Sequence, residues 1–365
     1  MDFYTNVVQW GNFLLVRGVY NKQRVNFRLK YKPTLFVPVM KQTDWKTLDG
    51  KSVTPYQFNC IKDAKDFLLK YESQPHLVHG LNRFAYTYIS DTFPQKVNWN
   101  IDKILIMTID IEVQCENGFP NPESAIEPLL SITVKNQQSK KIIVWGIQPY
   151  KNTREDVTYI RCPNEHDLIM EFMSFWTKNY PDVITGWNTD FFDIPYLANR
   201  IKQVCGEDKM RELSPWKNVS SKQIYSMGRN HLMYDIMGVS QYDYLQLYQK
   251  FTYTRQESYK LDYIASVELG EKKDENPYET FREWYENDFQ SFIDYNIQDV
   301  EIVDKLEDKM GLIDLALTMA YEGKVNYSDV FGQVKYWDIL IYNFLRKRKI
   351  VIPQKSSHSK NEQYE

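Results

Sequence analysis

The segment LIMTIDIEVQ, residues 105–114, places two carboxylates inside an otherwise apolar run. A run of this kind is typical of a buried β-strand. Because side chains at positions i and i+2 of a strand point to the same face, Asp110 and Glu112 share one face. Two unpaired charges buried there would destabilise the fold by several kcal/mol, so the segment predicts a positively charged partner beside the two acids.

A pair of acids two residues apart is weak information on its own. The chain has 365 residues and 48 acidic side chains, so chance alone gives roughly six such pairs. Asp110 and Glu112 differ from a chance pair because they interrupt an apolar strand. The alternative is a strand end at which both acids reach water, and the pair by itself leaves that alternative and a metal site equally open.

The composition is that of an ordinary globular protein, with 43% hydrophobic and 25% charged residues. A net charge of −3 provides no overall basic field for nucleic acid. The four cysteines contain no C-x-x-C pair, which favours free thiols over disulfides or a zinc site. The sequence has neither a run of membrane-spanning length nor the start of a signal peptide. We therefore expect a soluble, intracellular protein.

The pattern of apolar residues predicts two regions with different secondary structure. Residues 1 to about 100 contain short alternating runs, separated by Gly11, Asn21 and Pro33, and a helix over residues 62–71. After Lys103, strands alternate with helices, which predicts an α/β domain with a mixed sheet. The predicted strands cover residues 104–113, 129–134, 141–145 and 182–187, the predicted helices cover 166–180, 192–204, 283–310 and 312–349, and a hairpin or excursion covers 214–238.

A second segment with candidate site residues is ITGWNTDFFDIPY, residues 184–196. A strand runs into a turn at Gly186 and a helix begins near Phe192, which places Asp193 in the first helical turn. An acid at that position is already favourable because of the helix dipole. Asp190 is a candidate N-cap, a role that needs no catalysis. Taken singly, both acids therefore have an ordinary structural explanation.

A third segment with candidate site residues lies on the predicted helix of residues 283–310. Tyr295 and Asp299 are four residues apart there and share one helical face. A surface hydrogen bond would explain that pair equally well. The nearby Asp294 and Asp304 are expected to face solvent. Elsewhere, His76 and His79 form an isolated H-x-x-H that we expect at the surface.

If the three segments come together in the fold, their four carboxylates carry a formal charge of −4, which two divalent cations would neutralise. Ligand sets made of oxygen alone suit Mg²⁺ or Mn²⁺. Two such ions about 4 Å apart are a known device for displacement at a phosphodiester. The hydroxyl of Tyr295 would orient the attacking water. The acids concerned are Asp110, Glu112, Asp193 and Asp299.

These segments resemble the 3′–5′ proofreading exonuclease of B-family DNA polymerases, in particular those of T-even-type bacteriophages. The family has three ordered motifs, and the likeness extends from the first strands to residues 351–354, VIPQ. The resemblance implies an α/β fold, in which an RNase H-like exonuclease domain (a mixed sheet flanked by helices) is inserted in a β-rich α+β N-terminal domain. The matching motifs are D-I-E at Asp110 to Glu112, N-x-x-x-F-D at Asn188 to Asp193, and Y-x-x-x-D at Tyr295 to Asp299.

The resemblance also implies a role for each matching residue. The metal ligands are Asp110, Glu112, Asp193 and Asp299, and the family pattern selects Asp193 over Asp190. Tyr295 positions the water. Phe119, in the loop G-F-P after the first motif, contacts the unpaired 3′ end of DNA, and Asn188 is a further DNA-binding residue. Residues 217–234 correspond in position to the strand-separating hairpin of the family.

The same resemblance implies a domain order. Residues 1–104 and 312–354 form a discontinuous N-terminal domain, residues 105–311 form the exonuclease, and residues 355–365 are a linker toward a palm domain. The palm motifs D-x-x-S-L-Y-P-S and D-T-D-S do not occur in this sequence. We therefore expect no DNA polymerisation by this chain alone. An excised fragment and a natural subunit of a split polymerase both remain open.

The implied function is the proofreading part of a replicative B-family DNA polymerase, which hydrolyses single-stranded DNA from its 3′ end with two divalent metal ions. Implied partners are the single-stranded 3′ end, primer-template DNA, and the palm, fingers and thumb in cis or as a separate subunit, with a sliding clamp as a further candidate. The implied location is the cytoplasm of an infected bacterial host. The alternatives are a catalytically idle DNA-binding or docking module and another RNase H-like nuclease.

Overall fold

The computed structural model describes residues 1–115, 118–226, 228–271 and 276–354. The chain divides into two compact units, one of Met1–Lys103 with the segment from Ala316 onward, the other of Ile104–Leu315. The predicted linker, residues 355–365, lies outside the described residues. None of the described helices is both long enough and apolar enough to cross a membrane.

The first unit contains two small sheets. One is antiparallel with the order β1-β2-β3, and the other has the order β15-β5-β6-β4. Asn21 and Lys22 both have positive φ angles, as the two central residues of a type I′ hairpin turn require, and they join β2 to β3. The strands are β1 Phe3–Trp10, β2 Phe13–Tyr20, β3 Gln23–Leu29, β4 Thr34–Pro38, β5 Trp45–Thr47, β6 Ser52–Gln57 and β15 Ile350–Val351.

In the first unit, the helix predicted over residues 62–71 is confirmed. The helix predicted over residues 312–349 is wrong. The chain after Leu312 does not form one helix. It is interrupted because the buried side chain of Asn326 bonds both backbone groups of Val7 at 2.8 Å, which fixes a non-helical turn between two helices. The helices are α1 Ile61–Lys70, α2 Phe84–Thr92, α10 Leu312–Gly323 and α11 Gln333–Arg346, with 3₁₀ turns at Pro75–Leu77, Ile101–Lys103 and Tyr327–Phe331.

The isolated H-x-x-H was predicted at the surface, and this holds for His76 but is wrong for His79. His79 is buried because its backbone forms a bridge with Phe36, with N–O distances of 2.8 and 2.9 Å. This strand-like bridge places the imidazole of His79 in the interior of the first unit together with its backbone.

The second unit is built on a six-stranded sheet with the order β10-β9-β8-β7-β11-β14. Strand β7 is antiparallel to β8 and parallel to β11, so the sheet is mixed, as predicted. A separate two-stranded antiparallel hairpin, β12 and β13, confirms the expected hairpin. The strands are β7 Ile106–Val113, β8 Leu129–Asn136, β9 Ile142–Gly146, β10 Val157–Arg161, β11 Val183–Gly186, β12 Val219–Ser226, β13 Arg229–Ile236 and β14 Ser240–Asp243.

Helices cover both faces of this sheet. The odd-numbered residues of β7 lie in one core with the side chains of α3 and α4, whereas α8 and α9 pack into a second core with β8, β9 and β10. Each large apolar side chain buried in these cores contributes about 1.5–3 kcal/mol. The helices are α3 Glu165–Lys178, α4 Asp193–Cys205, α5 Glu207–Arg211, α6 Tyr244–Phe251, α7 Leu261–Leu269, α8 Phe281–Asn287 and α9 Phe289–Met310.

The single helix predicted over residues 283–310 is two helices in the structure. Asp288 lies between α8 and α9 with non-helical backbone angles, and its carboxylate accepts a hydrogen bond from the Ser291 N–H at 3.1 Å. An aspartate that caps a helix in this way starts a new helical segment, because it satisfies a donor that has no partner within the helix.

Gly186 closes β11 against β7. A Cβ atom at this position would collide with the carbonyl oxygen of Ile109 and with the methyl group of Thr189. Only a glycine therefore allows the turn after β11 to approach the backbone of β7 this closely.

We expect Gly186→Ala to lower the free energy of unfolding by roughly 1–3 kcal/mol, because the added methyl group forces two backbone segments apart. Denaturant unfolding measures this loss. Gly206→Ala is the matched control, since Gly206 also has a positive φ angle but, apart from its chain neighbours, none of the described residues has a heavy atom within 4 Å of the added carbon. Equal losses for the two variants would contradict the proposed steric origin.

Candidate active site

Three of the predicted acids converge. Asp110 and Glu112 on β7 and Asp299 on α9 are half-buried, and each offers a carboxylate oxygen within 4.8 Å of the others. The predicted shared face of Asp110 and Glu112 is the face of β7 that α9 covers. Carboxylates this close repel one another strongly, so the arrangement fits a bound cation.

The register of the sheet fixes the two acids of β7. Asp110 lies opposite Thr133 and Glu112 lies opposite Ser131 on the antiparallel neighbour β8. The register shifts between Glu112 and Val113, which marks a β-bulge at the second acid. Bulges change the direction of side chains at the end of a paired strand. This bulge lies at Glu112, the second acid of β7.

Helix α9 brings Tyr295 and Asp299 to the same side of the sheet. Tyr295 is half-buried, and its ring packs edge-on against Trp284 and Phe281 at centroid distances of 4.9 and 6.1 Å. These contacts restrict the ring to one orientation, one helical turn before Asp299.

Asn296 is a site residue that the sequence analysis missed. It is fully buried on α9 and donates from Nδ2 to Oδ2 of Asp110 at 2.5 Å. Its Oδ1 accepts hydrogen bonds from the hydroxyl groups of Ser131, at 3.0 Å, and Thr133. One amide therefore links α9 to both strands beneath the acid cluster.

Asp193 lies in the first turn of α4, as predicted, and is buried. Its Oδ1 accepts a hydrogen bond from the backbone N–H of Ile111 at 3.2 Å. Ile111 is the residue between Asp110 and Glu112, and the pairing of β7 with β11 extends only to Thr108. Asp193 thus takes the place of a strand partner and is tied to the backbone between the two acids of β7.

Asp190 was considered as the N-cap of α4, and this interpretation is wrong. The cap position is Phe192, without a side-chain cap, and the Asp190 carboxylate instead accepts from Gln246 Nε2 at 2.8 Å. The helix begins three residues beyond Asp190 because the turn before it is held by another acid, Asp243.

Asp243 organises the turn that carries the second motif. Its carboxylate accepts hydrogen bonds from the backbone N–H groups of Asn188 at 3.0 Å, Asp190 at 3.2 Å and Leu245 at 2.9 Å. Asn188 has a φ of +65°, a left-handed conformation that asparagine tolerates better than most residues. Asp243, which caps α6 at the same time, was not identified from the sequence.

The buried acids of this region have raised pKa values. Burial is the main cause for Asp193, whose pKa rises to about 8 while the N–H of Ile111 opposes the rise and Asp243 and Asp299 add to it. Burial and the neighbouring Asp243 raise the pKa of Asp190 to about 8. A cation bound near Asp193 would lower this pKa again.

Asp294 and Asp304 were expected to face solvent. Asp294 is exposed, whereas Asp304 is buried and pairs with Lys135 at 2.8 Å and Lys140 at 2.8 Å. The expectation for Asp304 is wrong because Lys135 on β8 is itself buried and requires a counter-charge.

A cleft of about 400 Å³ contains both predicted DNA-binding residues. The ring of Phe119 is 82% exposed and lies 5.0 Å from the ring of Phe192 between centroids. On the other side, Phe191 lies against His231 of β13 at 4.4 Å. The cleft is lined by Phe119–Glu123, by Asn188, Phe191 and Phe192, and by Arg229–Leu232 at the end of the hairpin.

The hairpin is attached to the body of the unit near this cleft. Tyr234 donates to Asn199 Oδ1 at 2.5 Å, and Gln223 donates to Glu123 at 3.3 Å. Two polar contacts and the Phe191–His231 ring contact therefore place β12 and β13 beside the loop that contains Phe119.

Residues 81–264 match the family model for the exonuclease domain of family B DNA polymerases. The chain therefore belongs to this family. It is 33% identical to the DNA-directed DNA polymerase of Escherichia phage RB69 and 32% identical to that of Enterobacteria phage T4, in each case over 98% of this chain. It is 26% identical to the DNA polymerase delta catalytic subunit of Candida albicans over 74% of this chain.

The chain spans 42% and 43% of the length of the two phage polymerases and 28% of the Candida protein. These matches confirm the resemblance to T-even-type phage polymerases and the predicted fold class. The family match includes Asp110, Glu112 and Asp193 but ends before Tyr295 and Asp299. Helix α9 places Asp299 beside Asp110 and Glu112, with Tyr295 one helical turn earlier.

The raised pKa of Asp190 leads to a pH-dependent stability. An ordinary carboxyl releases its proton near 3.8, whereas the folded state holds this one up to about 8. At this position the folded state therefore binds more protons than the unfolded chain between these limits, so the contribution of Asp190 to stability falls as the pH rises.

We expect Asp190→Asn to gain stability relative to wild type as the pH increases from about 4 to about 8, with a constant difference above that range. Denaturant unfolding at pH 5, 7 and 9 measures the difference. A difference independent of pH would contradict the raised pKa.

Proposed function

We propose that this chain is the 3′–5′ proofreading exonuclease part of a replicative B-family DNA polymerase. It hydrolyses the 3′-terminal phosphodiester of single-stranded DNA and releases nucleoside 5′-monophosphates. The observation that supports this most directly is the convergence of Asp110, Glu112 and Asp299, with Asp193 tied to the backbone between the first two. Membership of the exonuclease family supports the same proposal.

Two divalent cations, Mg²⁺ or Mn²⁺, would be held by Asp110, Glu112, Asp193 and Asp299. The donor set supports this assignment, because it consists of carboxylate oxygens, which hard divalent cations prefer. When bound, the cations supply charge neutralisation at the scissile phosphate and activation of water. The chain itself supplies a partly buried pocket in which these electrostatic effects are stronger than in water.

Tyr295 is proposed to orient the attacking water through its hydroxyl group. The edge-on contacts with Trp284 and Phe281 support this role, because they hold the ring in place on α9 before substrate arrives. Pre-organisation of this kind removes an entropic cost from the reaction step.

The cleft beside Phe119 is proposed to receive the terminal nucleotides. Its aromatic side chains offer stacking surfaces to bases of any identity, and Arg229 and His231 offer polar groups. Such a cleft selects strands by their ability to unpair and stack, which suits the removal of a mispaired end. Asn188 lines the same cleft and is proposed to contact the DNA.

A catalytically idle DNA-binding or docking module is the alternative function. The clustered carboxylates of Asp110, Glu112 and Asp299 argue against it, because a group of repelling, partly buried acids destabilises a protein that has no use for it. The placement of Asn296 argues in the same direction, since its buried amide bonds directly to Asp110 of the cluster.

The proposal extends to the remainder of the system. Residues 1–104 with 312–354 are the N-terminal domain and residues 105–311 the exonuclease, an assignment that the two compact units support. The proposed partners are primer-template DNA and a region with palm, fingers and thumb, in cis or as a separate subunit, with a sliding clamp as a further candidate. The proposed location is the cytoplasm of an infected bacterial host.

The first test is an exonuclease assay on a short single-stranded DNA labelled at its 5′ end. With Mg²⁺ we expect a ladder that shortens from the 3′ end and disappears in EDTA. Asp110→Ala combined with Glu112→Ala should reduce the rate on the order of 10³-fold, because two ligands of the cluster are lost.

Asp294→Ala is the matched control, because Asp294 is an exposed acid of α9 whose carboxylate bonds Tyr150. It should cleave at the wild-type rate. If wild-type protein binds the DNA but never shortens it, the idle-module alternative is favoured over the exonuclease.

A second test addresses the cleft. We expect Phe119→Ala to weaken binding of single-stranded DNA roughly 5- to 150-fold, because one stacking contact contributes about 1–3 kcal/mol. Fluorescence anisotropy in EDTA measures the Kd without cleavage. Ile126→Ala, at an exposed position that does not line the cleft, should bind as wild type does. Equal affinities of the two variants would remove Phe119 from the DNA-binding surface.

A further inference from the structure

We infer that Asn296 is a positioning residue that sets the orientation of the Asp110 carboxylate for metal binding. This inference rests on the proposed function and extends it to a side chain outside the predicted ligand set. It follows from the contacts of the amide, from the direction in which the amide must point, and from the distribution of charge around it.

The amide has a partner on each side. Nδ2 donates to Oδ2 of Asp110 at 2.5 Å, and Oδ1 accepts from the hydroxyl groups of Ser131 and Thr133. Ser131 and Thr133 are the residues of β8 that face Glu112 and Asp110 across the sheet. The amide is therefore held by the neighbouring strand and in turn holds the acid.

The orientation of the amide is determined by its partners. If Oδ1 and Nδ2 exchanged places, an amide oxygen would face the Asp110 oxygen, and two acceptors at that distance would repel each other. The two hydroxyl groups can donate to Oδ1, so the observed direction gives both the oxygen and the nitrogen of the amide a suitable partner. A buried amide held at both ends in this way has one preferred orientation.

A hydrogen bond to Oδ2 fixes the rotation of the carboxylate about its Cβ–Cγ bond. Both oxygens of Asp110 then have set directions relative to Glu112 and Asp299. Hydrogen bonds that orient a ligand in this way are the usual support of a metal site, and their loss typically weakens metal affinity 10- to 100-fold.

The group that donates to Asp110 is the neutral amide of Asn296, although a lysine lies on the neighbouring strand β8. Lys135 lies on the same face of β8 as Ser131 and Thr133, and it is buried. Asp304, two turns after Asn296 on α9, pairs with Lys135 at 2.8 Å. The chain thus neutralises its own buried cation with Asp304 and places an uncharged donor at the acid cluster, which keeps the negative charge available to a metal.

The test measures Mn²⁺ binding to the full chain by electron paramagnetic resonance, without DNA and without turnover. We expect Asn296→Ala to bind Mn²⁺ 10- to 100-fold more weakly than wild type. Asn199→Ala is the matched control, because Asn199 also bonds a carbonyl and a hydroxyl in this unit but, within the described part of the chain, forms no hydrogen bond to an acid. It should bind Mn²⁺ with wild-type affinity.

A second readout separates positioning from catalysis. The exonuclease rate of Asn296→Ala should approach the wild-type rate at saturating Mn²⁺, with the loss confined to the metal concentration at half-maximal rate. A residue with a purely structural role would lower thermal stability but leave that concentration unchanged.

The outcomes distinguish this inference from the proposed function. If wild-type protein neither binds Mn²⁺ nor cleaves DNA, the proposed function fails. If wild type binds Mn²⁺ and Asn296→Ala binds it equally well, the positioning role of Asn296 is overturned while the exonuclease stands. Should Asn296→Ala not fold, Thr133→Val removes one hydroxyl from the amide at nearly constant shape, and unchanged Mn²⁺ affinity in that variant would also overturn the inference.

Discussion

Repulsion among the clustered carboxylates is the constraint on which the second unit depends. Asp110 and Glu112 belong to an internal strand and are half-buried, which limits how far either side chain can move into solvent to reduce the repulsion. Asp299 approaches them from α9, and Asp193 is fixed to the backbone between them. Neutral hydrogen bonds from Asn296 and from the N–H of Ile111 hold the carboxylates of Asp110 and Asp193 in this arrangement. Stability lost at the cluster has to be recovered in the two cores of the unit.

The elements that deliver the acids have little freedom. Strand β7 is paired with β8 from Met107 to Val113 and with β11 as far as Thr108. Helix α9 is buried along one face of the sheet, and Gly186 lets the turn before α4 contact the backbone of β7. Binding geometry in such a site is built into the folded chain before any ligand arrives, which reduces the reorganisation that binding or reaction would require.

Much of this arrangement could be predicted from the sequence, because it depends on local spacing. Acids at i and i+2 of an apolar strand share a face, and Tyr295 and Asp299 share a helical face by the same kind of argument. Asn296 and Asp243 could not be found in this way. Their roles depend on which strand lies beneath α9 and on which turn lies beside β14, and spacing along the chain contains neither fact. The cap assigned to Asp190 and the exposure assigned to Asp304 were wrong for the same reason, since a distant residue decides each.

The cleft and the acid cluster are built from different parts of the unit. The acids lie on β7, α4 and α9, whereas most of the cleft is lined by the loop of Phe119–Glu123 and by residues Arg229–Leu232 of the hairpin. Changes in a loop or at the end of a hairpin need not disturb a sheet or its cores. Substitutions in the loop or the hairpin can therefore change the lining of the cleft while the geometry of the acid cluster stays the same, so the proposed selection of strand ends and the proposed hydrolysis can be altered separately.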